Sequence, residues 1–261
     1  MFDSHFHVTD PRLITRKDVI NSQLTGVEIG ADFESLPAIF EFSAKHEHVY
    51  CTAGVHPAYA DMYSANDMEN FVAEHLNFKK FVAIGECGLD YHRPDLPARE
   101  KQVEVFVHQI HLADRYKKPL VVHSRDSWED TAEILIAHKS KLKNGVLIHC
   151  MSYTAEQAEY LLNHLNGIDV YFAFGGHITY KQKAFLHDTL RAIPLNRILI
   201  ETDAPYLAPT PKRSEVNLPQ YIRYTAEVMA KILNKTVVEI ETLTANNAYR
   251  FFKIKAEKNR I

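Results

Sequence analysis

Two histidines separated by one phenylalanine stand near the start of the chain, in the stretch DSHFH. Side chains on a β-strand point alternately to its two faces, so positions two apart lie on the same side. His5 and His7 would therefore converge on one point, where two neutral imidazoles supply half of a typical coordination shell for zinc or a similar metal. The spacing alone is also compatible with two unrelated histidines, because the chain contains 15 of them.

Further potential metal ligands lie at or near the ends of later apolar segments. They are His56 in GVHP, Glu86 in AIGECGLD, His123 in VVHSR, His149 in VLIHC and Asp203 in ETDAP. Each of these residues taken singly could be a hydrogen-bonded core side chain or a cap. Their significance therefore depends on whether the fold brings them together.

Eight short segments rich in apolar or β-branched residues recur along the chain, and each ends in turn residues. These predicted strands are Phe2 to His7, Val27 to Gly30, Val49 to His56, Phe81 to Asp90, Leu120 to Arg125, Val146 to Cys150, Val170 to Gly175 and Ile198 to Ala204. Segments of helical length separate them, and Thr154 with Gln157 and Thr236 with Glu239 have the spacing of capping boxes. This alternation predicts an α/β fold, a (β/α)8 TIM-type barrel. A doubly wound open sheet, the alternative, would usually carry a glycine-rich turn after its first strand, and this sequence has none.

No linker rich in glycine, serine or proline divides the chain. We therefore expect a single domain over residues 1–261, with additional C-terminal helices between Leu218 and Phe252. No run of 18 apolar residues and no basic leader followed by an apolar stretch occurs, so we expect a cytoplasmic protein without a membrane partner.

Charge and cysteine content argue against two classes of protein, those with a broad basic surface and those stabilised by disulfides. A net charge of -3 and a pI near 6.6 argue against a broad basic surface, so any contact with nucleic acid must be local. The three cysteines are odd in number and widely separated, which does not fit a disulfide framework. Cys87 and Cys150 each follow a candidate ligand by one residue, so we expect them to face the helices as core thiols.

In a TIM-type barrel the carboxyl ends of the strands meet at one rim, where they form the functional face. The barrel would therefore gather the candidate ligands from six of the predicted strands. His5, His7 and Asp203 form one mixed nitrogen and oxygen shell. His123 and His149 form the core of a second shell, and Glu86 can bridge the two. Paired metal ions of this kind activate water and stabilise a leaving oxygen, which is the chemistry of hydrolysis.

The motifs DSHFH, GVHP, AIGECGLDYH, VVHSRD, IHC and ILIETDAPYLAP, in this order, resemble the TatD family of metal-dependent deoxyribonucleases within the amidohydrolase superfamily. The resemblance implies a TIM-type barrel that holds two divalent ions (Mg, Mn or Zn) per subunit. It also implies a nuclease that trims DNA, often as a 3′ to 5′ exonuclease on single strands. Other superfamily hydrolases use a carboxylated lysine at the end of strand four, where this chain has Glu86.

The resemblance also assigns roles to individual residues. It places His5, His7 and Asp203 on the first metal, Glu86 as the bridge, and His123 and His149 on the second metal. His56 and Glu201 match positions that contact the reactive water or the phosphate. Arg213 keeps the family's spacing in the loop after strand eight, whereas Ala58, Met151, Ser152 and Tyr153 depart from the usual pattern. The departures affect substrate choice rather than the metal ligands.

We expect Asp203 to accept the proton of the attacking water, with Glu86 and His56 also catalytic, and His56 and Arg213 to hold phosphate oxygens. Tyr91 follows strand four, where it could touch substrate. Lys181 and Lys183 follow strand seven and could track a nucleic-acid backbone or form a solvated helix face. The expected substrate is single-stranded DNA or RNA, with no obligate protein partner.

Two alternatives remain open at the level of sequence. A hydrolase of amides or esters would use the same metal ligands, so these ligands alone do not identify the substrate. A non-catalytic metal-binding protein with this fold is the other alternative. The complete ligand set argues against it, because loss of function would be expected to remove at least one ligand.

Overall fold

A ring of parallel strands forms the centre of the protein. The computed structural model describes residues 1–20 and 22–255, and within them one eight-stranded parallel sheet follows the order of the chain. The strands are β1 (Asp3–Phe6), β2 (Gly26–Glu28), β3 (Val49–Ala53), β4 (Phe81–Asp90), β5 (Leu120–Arg125), β6 (Val146–Ile148), β7 (Val170–Phe174) and β8 (Ile198–Ile200). The predicted (β/α)8 TIM-type barrel is confirmed.

Backbone hydrogen bonds just beyond β8 close the ring against β1. The amide of Asp203 donates to the carbonyl of His5 at 2.9 Å, and the amide of His7 donates to the carbonyl of Ala204 at 2.7 Å. These bonds place the residues after β8 beside the two histidines at the start of the chain. The first and last parts of the sequence therefore share one corner of the rim.

Helices surround the ring in the described part of the chain, one after each of β1 to β7 and two after β8, as the sequence pattern predicts. They are α1 (Lys17–Ile20), α2 (Leu36–Lys45), α3 (Ala65–His75), α4 (Arg99–Arg115), α5 (Trp128–Ala137), α6 (Ala155–His164), α7 (Phe185–Ala192), α8 (Ile222–Leu233) and α9 (Val237–Phe251). Both predicted capping boxes are confirmed, at the start of α6 and of α9. In the part of the chain that the structure describes, none of the helices combines the length and the apolar character needed to cross a membrane.

The core is divided between the two faces of the sheet. Val121, Leu147 and Tyr171 are paired neighbours on β5, β6 and β7 and belong to one buried cluster inside the ring. Phe251 and Phe252, at the end of α9, belong to the same cluster. The last helix therefore closes the amino-terminal end of the barrel, opposite the rim. The adjacent strand positions face outward and pack under the helices.

Two glycines allow β4 and β5 to approach closely beside Glu86. Gly85 and Gly88 have φ angles of 131° and 138°, a region that side-chain-bearing residues rarely adopt. A Cβ atom on Gly88 would lie only 2.0 Å from the carbonyl oxygen of His123. One on Gly85 would lie 2.5 Å from the carbonyl oxygen of Val121. The glycines thus fix the backbone that carries Glu86.

Several strands end earlier than the sequence predicts. The predicted strands ran to His56, Cys150 and Ala204, whereas β3, β6 and β8 end at Ala53, Ile148 and Ile200. Cys150 and Asp203 adopt left-handed conformations, with φ of 49° and 58°, which a strand cannot contain. The chain therefore leaves the sheet before these residues, and they lie in the loops of the rim.

Candidate metal centre

Four side chains converge where β1, β4 and the segment after β8 meet. The Nε2 atoms of His5 and His7 lie 3.3 Å apart. Asp203 Oδ1 lies 3.7 Å from the first of these nitrogens and 3.5 Å from the second. Glu86 reaches both histidines, at 3.8 Å through Oε2 and 3.7 Å through Oε1. Ligand atoms that each lie about 2.0–2.2 Å from one ion are separated from each other by about 3–3.7 Å, so this is the spacing of a coordination shell.

A second convergence lies next to the first and shares Glu86 with it. His123 Nδ1 and His149 Nε2 lie 3.2 Å apart. Glu86 Oε2 lies 3.0 Å from the His149 nitrogen and 3.6 Å from the His123 nitrogen. The rings of His5 and His149 stack at a centroid distance of 3.9 Å, which joins the two groups into one cluster. The carboxylate of Glu86 is thus placed between two pairs of imidazoles.

The electrostatics of the cluster fit bound divalent cations. Burial alone would raise the pKa of Glu86, but the charges of His149 and its neighbours hold it well below its ordinary value. Its Oε2 atom is buried and has no hydrogen-bond partner within the described residues. Burial lowers the pKa of His5 well below its usual range and keeps that imidazole neutral, which is the form that binds metals. Burial alone would also lower the pKa of His7, but the hydrogen bond with Asp203 and the charge of Glu86 instead raise it to about 9, so a cation bound there would displace a proton. A buried carboxylate oxygen without a donor, surrounded by ligand nitrogens, matches a cation site.

Carboxylates stand behind both histidines of the second group. Asp90 Oδ2 lies 3.3 Å from His123 Nε2, the ring nitrogen that faces away from Glu86. Glu201 Oε1 lies 3.5 Å from His149 Nδ1, again on the far side of the ring. Such partners orient a metal-binding histidine and raise its basicity. The fourth predicted strand ended at Asp90, and the structure places the carboxylate of this residue against a candidate ligand.

Glu201 is placed differently from its sequence expectation. The resemblance put it next to the reactive water or phosphate, but its side chain is 0% exposed. Its Oε1 atom accepts the backbone N–H of Cys150 at 2.7 Å. It therefore lies beneath His149, where a substrate at the rim does not reach it. The assignment rested on the resemblance alone, and in the structure the chain leaves β8 at Ile200, directly before Glu201.

His56 lies at the edge of the cluster. Its ring packs edge-on against that of His123 at a centroid distance of 4.3 Å. The Nδ1 atom accepts the backbone N–H of Ala58 at 3.0 Å, so the neutral ring carries its proton on Nε2. Burial lowers the pKa of His56 to about 3, which keeps the ring neutral near pH 7. His56 is thus a fixed hydrogen-bond donor beside the ligands.

Tyr91 and Arg213 are occupied by other partners. The hydroxyl of Tyr91 donates to Asp130 at 2.6 Å, and the guanidinium of Arg99 covers its ring at 4.1 Å. Arg213 is exposed and stacks over the ring of Tyr180 at 4.3 Å. Of the predicted substrate-binding residues, His56 thus lies against the ligand cluster, whereas Tyr91 and Arg213 make these local contacts.

Cys87 and Cys150 differ in their surroundings. Cys87 is fully buried in the core beneath the helices, as expected. Cys150 is only partly buried, and its Sγ lies 3.8 Å from Nδ1 of His177 on the rim. The expectation of a core thiol at Cys150 was wrong because strand alternation does not extend past the end of β6.

His177 is a rim residue that was not among those predicted from the sequence. This side chain is buried and its Nε2 donates to the carbonyl of Met151 at 2.8 Å. His177 supports the loop that follows the candidate ligand His149. The sequence feature that could have identified it is its position just after a strand end, in GGHIT, because the other candidates occupy equivalent positions.

Known proteins resemble this chain over most of its length. The family described as TatD related DNase matches residues 2–253. The uncharacterized metal-dependent hydrolase YabD of Bacillus subtilis (strain 168) is 33% identical over 260 residues, which cover 97% of this chain and 99% of that protein. The uncharacterized metal-dependent hydrolase YcfH of Escherichia coli (strain K12) is 37% identical over 216 residues, which cover 82% of this chain and 77% of that protein.

A solved structure shares the fold. The crystal structure of YJJV, a TatD homolog from Escherichia coli K12, matches with a TM-score of 0.87 and 24% sequence identity, and the match covers 98% of both chains. Sequence family, relatives and architecture thus agree with the ligand geometry at the rim. The chain belongs to the TatD family of metal-dependent hydrolases.

Proposed function

We propose that this protein is a two-metal phosphodiesterase that removes nucleotides from the 3′ end of single-stranded DNA. The observation that carries the proposal is the position of Glu86, which lies between one pair of histidines at 3.7–3.8 Å and another at 3.0–3.6 Å. A shared carboxylate of this kind suits two cations at a short separation. Membership of a family described as TatD related DNase supports a nucleic-acid substrate.

The six ligands divide into two sets around Glu86. His5, His7 and Asp203 would hold one ion, and His123 with His149 would hold the other. Divalent ions such as Mg, Mn or Zn, when bound there, neutralise phosphate charge and make water a stronger acid. The mixture of imidazole and carboxylate ligands admits each of these metals.

Asp203 is the carboxylate best placed to accept a proton from the attacking water. Its side chain is 12% exposed, compared with 6% for Glu86 and 0% for Glu201. Glu86 is committed to four imidazoles, and Glu201 lies beneath His149. Asp203 therefore combines access to solvent with contact to the ligand cluster, as a general base requires.

His56 is suited to hold a phosphate oxygen. Its Nδ1 is occupied by the Ala58 amide, so Nε2–H remains to donate. Because burial keeps its pKa at about 3, this donor is present throughout the neutral range. A donor that is already oriented stabilises developing negative charge without reorganisation.

A substrate panel tests the proposal. Metal-stripped protein is assayed with added Mg, Mn or Zn on single-stranded DNA labelled at the 5′ or 3′ end, on RNA, and on small amides and esters. We expect a ladder of shortened products from 5′-labelled DNA and immediate release of the label from 3′-labelled DNA. Intact DNA beside turnover of an amide or ester in the same preparation would refute the nuclease and favour the alternative hydrolase.

A substitution at Asp203 tests its role as the general base. We expect Asp203→Asn to lower kcat on single-stranded DNA by about 100-fold or more, because both the proton acceptor and a ligand charge are lost. Asp169→Asn, exposed just before β7 at the opposite, amino-terminal end of the barrel, is the matched control and should retain wild-type turnover. Undiminished hydrolysis by Asp203→Asn, with metal bound, would show that another group accepts the proton.

A further inference from the structure

A cationic groove runs down the outside of the barrel between α7 and α8. It encloses about 570 Å³. Lys181, His187, Arg191 and Lys231 line it, above an apolar floor that includes Val228 and Ile232. We call it the α7–α8 groove.

The positive charge of this groove is not balanced by its own lining. No aspartate or glutamate is among the lining residues that the structure describes. Within residues 1–20 and 22–255, neither Lys181 nor Lys231 forms an ion pair, and Arg191 pairs only with Asp188, whose side chain is 78% exposed. Exposed ion pairs of that kind contribute little to stability, so Arg191 can exchange this partner for a phosphate at small cost. In a chain with a net charge of -3, the groove is a local site for a polyanion.

The groove begins close, along the chain, to the rim that carries the candidate metal ligands. The short 3-10 turn Gly176–Thr179 connects the two. At its start, His177 lies 3.8 Å from Sγ of Cys150, the residue after His149. At its end, Thr179 and Tyr180 line the upper end of the groove.

The upper end of the groove is fixed in place and carries a further cation. The hydroxyl of Tyr180 donates to the carbonyl of Ala208 at 2.8 Å, and the side chain of Thr179 accepts the amide of Thr210 at 2.8 Å. Arg213 stacks on Tyr180, directly above this end. Arg213 therefore adds a cation beside the residues that line this end of the groove.

We propose that the α7–α8 groove binds the phosphate backbone of the nucleic-acid strand whose 3′ end lies in the metal centre. The inference rests on the proposed function and extends it, because it assigns a binding site to the part of the strand that is not being cut. Lysine and arginine side chains bind phosphates, and the apolar floor suits sugar and base faces. A long strand would therefore bind more tightly than a short one.

The test compares two triple variants on two substrate lengths. The groove variant is Lys181→Gln, Arg191→Gln and Lys231→Gln. The control variant is Lys79→Gln, Lys143→Gln and Lys255→Gln, which removes the same charge from exposed positions around the amino-terminal end of the barrel. kcat/KM is measured on a single strand of about 15 nucleotides and on a trinucleotide, between about 50 and 200 mM salt.

We expect the groove variant to lose about 10-fold or more in kcat/KM on the long strand and to match the wild type on the trinucleotide. Its salt dependence on the long strand should be shallower by about 2 logarithmic units per decade, because each lost phosphate contact removes about 0.7. The control variant should behave as the wild type. Equal losses on both lengths, an unchanged groove variant, or the same loss in the control variant would each overturn the proposal.

Fluorescence anisotropy with labelled DNA separates this proposal from the proposed function. If the wild type cleaves no nucleic acid but binds the long strand, and the groove variant binds it more weakly, the nuclease fails and the groove assignment stands. Absence of DNA binding by the wild type overturns both. Tighter binding of a polyglutamate peptide than of DNA would assign the groove to an acidic protein partner and overturn the nucleic-acid assignment.

Discussion

At the scale of single residues, the two histidines of the second ligand group present different nitrogens to Glu86. His123 uses Nδ1 and His149 uses Nε2. The carboxylates behind them explain the difference, since Asp90 lies at the remaining nitrogen of His123 and Glu201 at that of His149. Sequence motifs could identify the histidines as ligands. They could not identify these partners, because contacts across the rim depend on where each strand ends.

Asp90 is a positioning residue for His123. We expect Asp90→Asn to weaken metal binding by about 10- to 100-fold, because the amide no longer supports the ring with a negative charge. Titration of metal-stripped protein by calorimetry, or competition with a chromophoric chelator, measures the affinity directly. Asp126→Asn is the matched control on the same rim, since Asp126 is exposed and contacts His92 rather than a ligand. Equal affinities in the two variants would contradict the assignment.

At the scale of secondary-structure elements, the regular alternation of strands and helices could be predicted because most strand positions on both faces of the sheet are buried. The capping boxes at Thr154 and Thr236 were equally predictable, since they depend only on local spacing. The positions at which β6 and β8 end could not be predicted. Left-handed conformations at Cys150 and Asp203 interrupt the alternation. Cysteine does not signal such a conformation, and aspartate, although enriched in it, adopts it in only a minority of cases.

β4 has no room for a side chain at Gly88, where it lies against β5. We expect Gly88→Ala to lower the free energy of unfolding by about 3 kcal/mol or more, because the new Cβ would meet the His123 carbonyl and the backbone conformation is itself strained. Urea denaturation measures the change. Gly167→Ala is the control: it also has positive φ, but nothing lies within 4 Å of the new atom, so only about 1 kcal/mol should be lost. Similar losses in both would show that conformation, rather than close approach, determines the effect.

At the scale of the whole molecule, the two ends of the barrel have separate tasks. The candidate metal ligands gather at the carboxyl ends of the strands, while α9 closes the opposite end with Phe251 and Phe252. The ring of Phe251 packs against Tyr171 at a centroid distance of 5.2 Å. The terminal amino group of Met1 contacts Glu241 on the same helix at 2.6 Å. In this fold, residues at the carboxyl ends of the strands determine the chemistry, and residues at the opposite end contribute to stability.

Loss of packing at the closed end should therefore affect stability and leave the chemistry intact. We expect Phe251→Ala to lower the free energy of unfolding by about 3–5 kcal/mol, because a large side chain that is 3% exposed is removed from the core. Metal affinity at low temperature should match that of the wild type. Val238→Ala, on the same helix but 69% exposed, should change stability by less than about 0.5 kcal/mol. Weakened metal binding in folded Phe251→Ala would show that the two ends are coupled.

The junction between β1 and the segment after β8 is also where His5, His7 and Asp203 meet. A cation held there would tie the first and last strands of the barrel together, in addition to the two backbone hydrogen bonds that close it. Ligands that bind only the folded state stabilise it by mass action, by about 4 kcal/mol at a thousandfold excess over Kd. The concentration of free divalent cation would then determine the stability of the folded protein as well as its turnover rate.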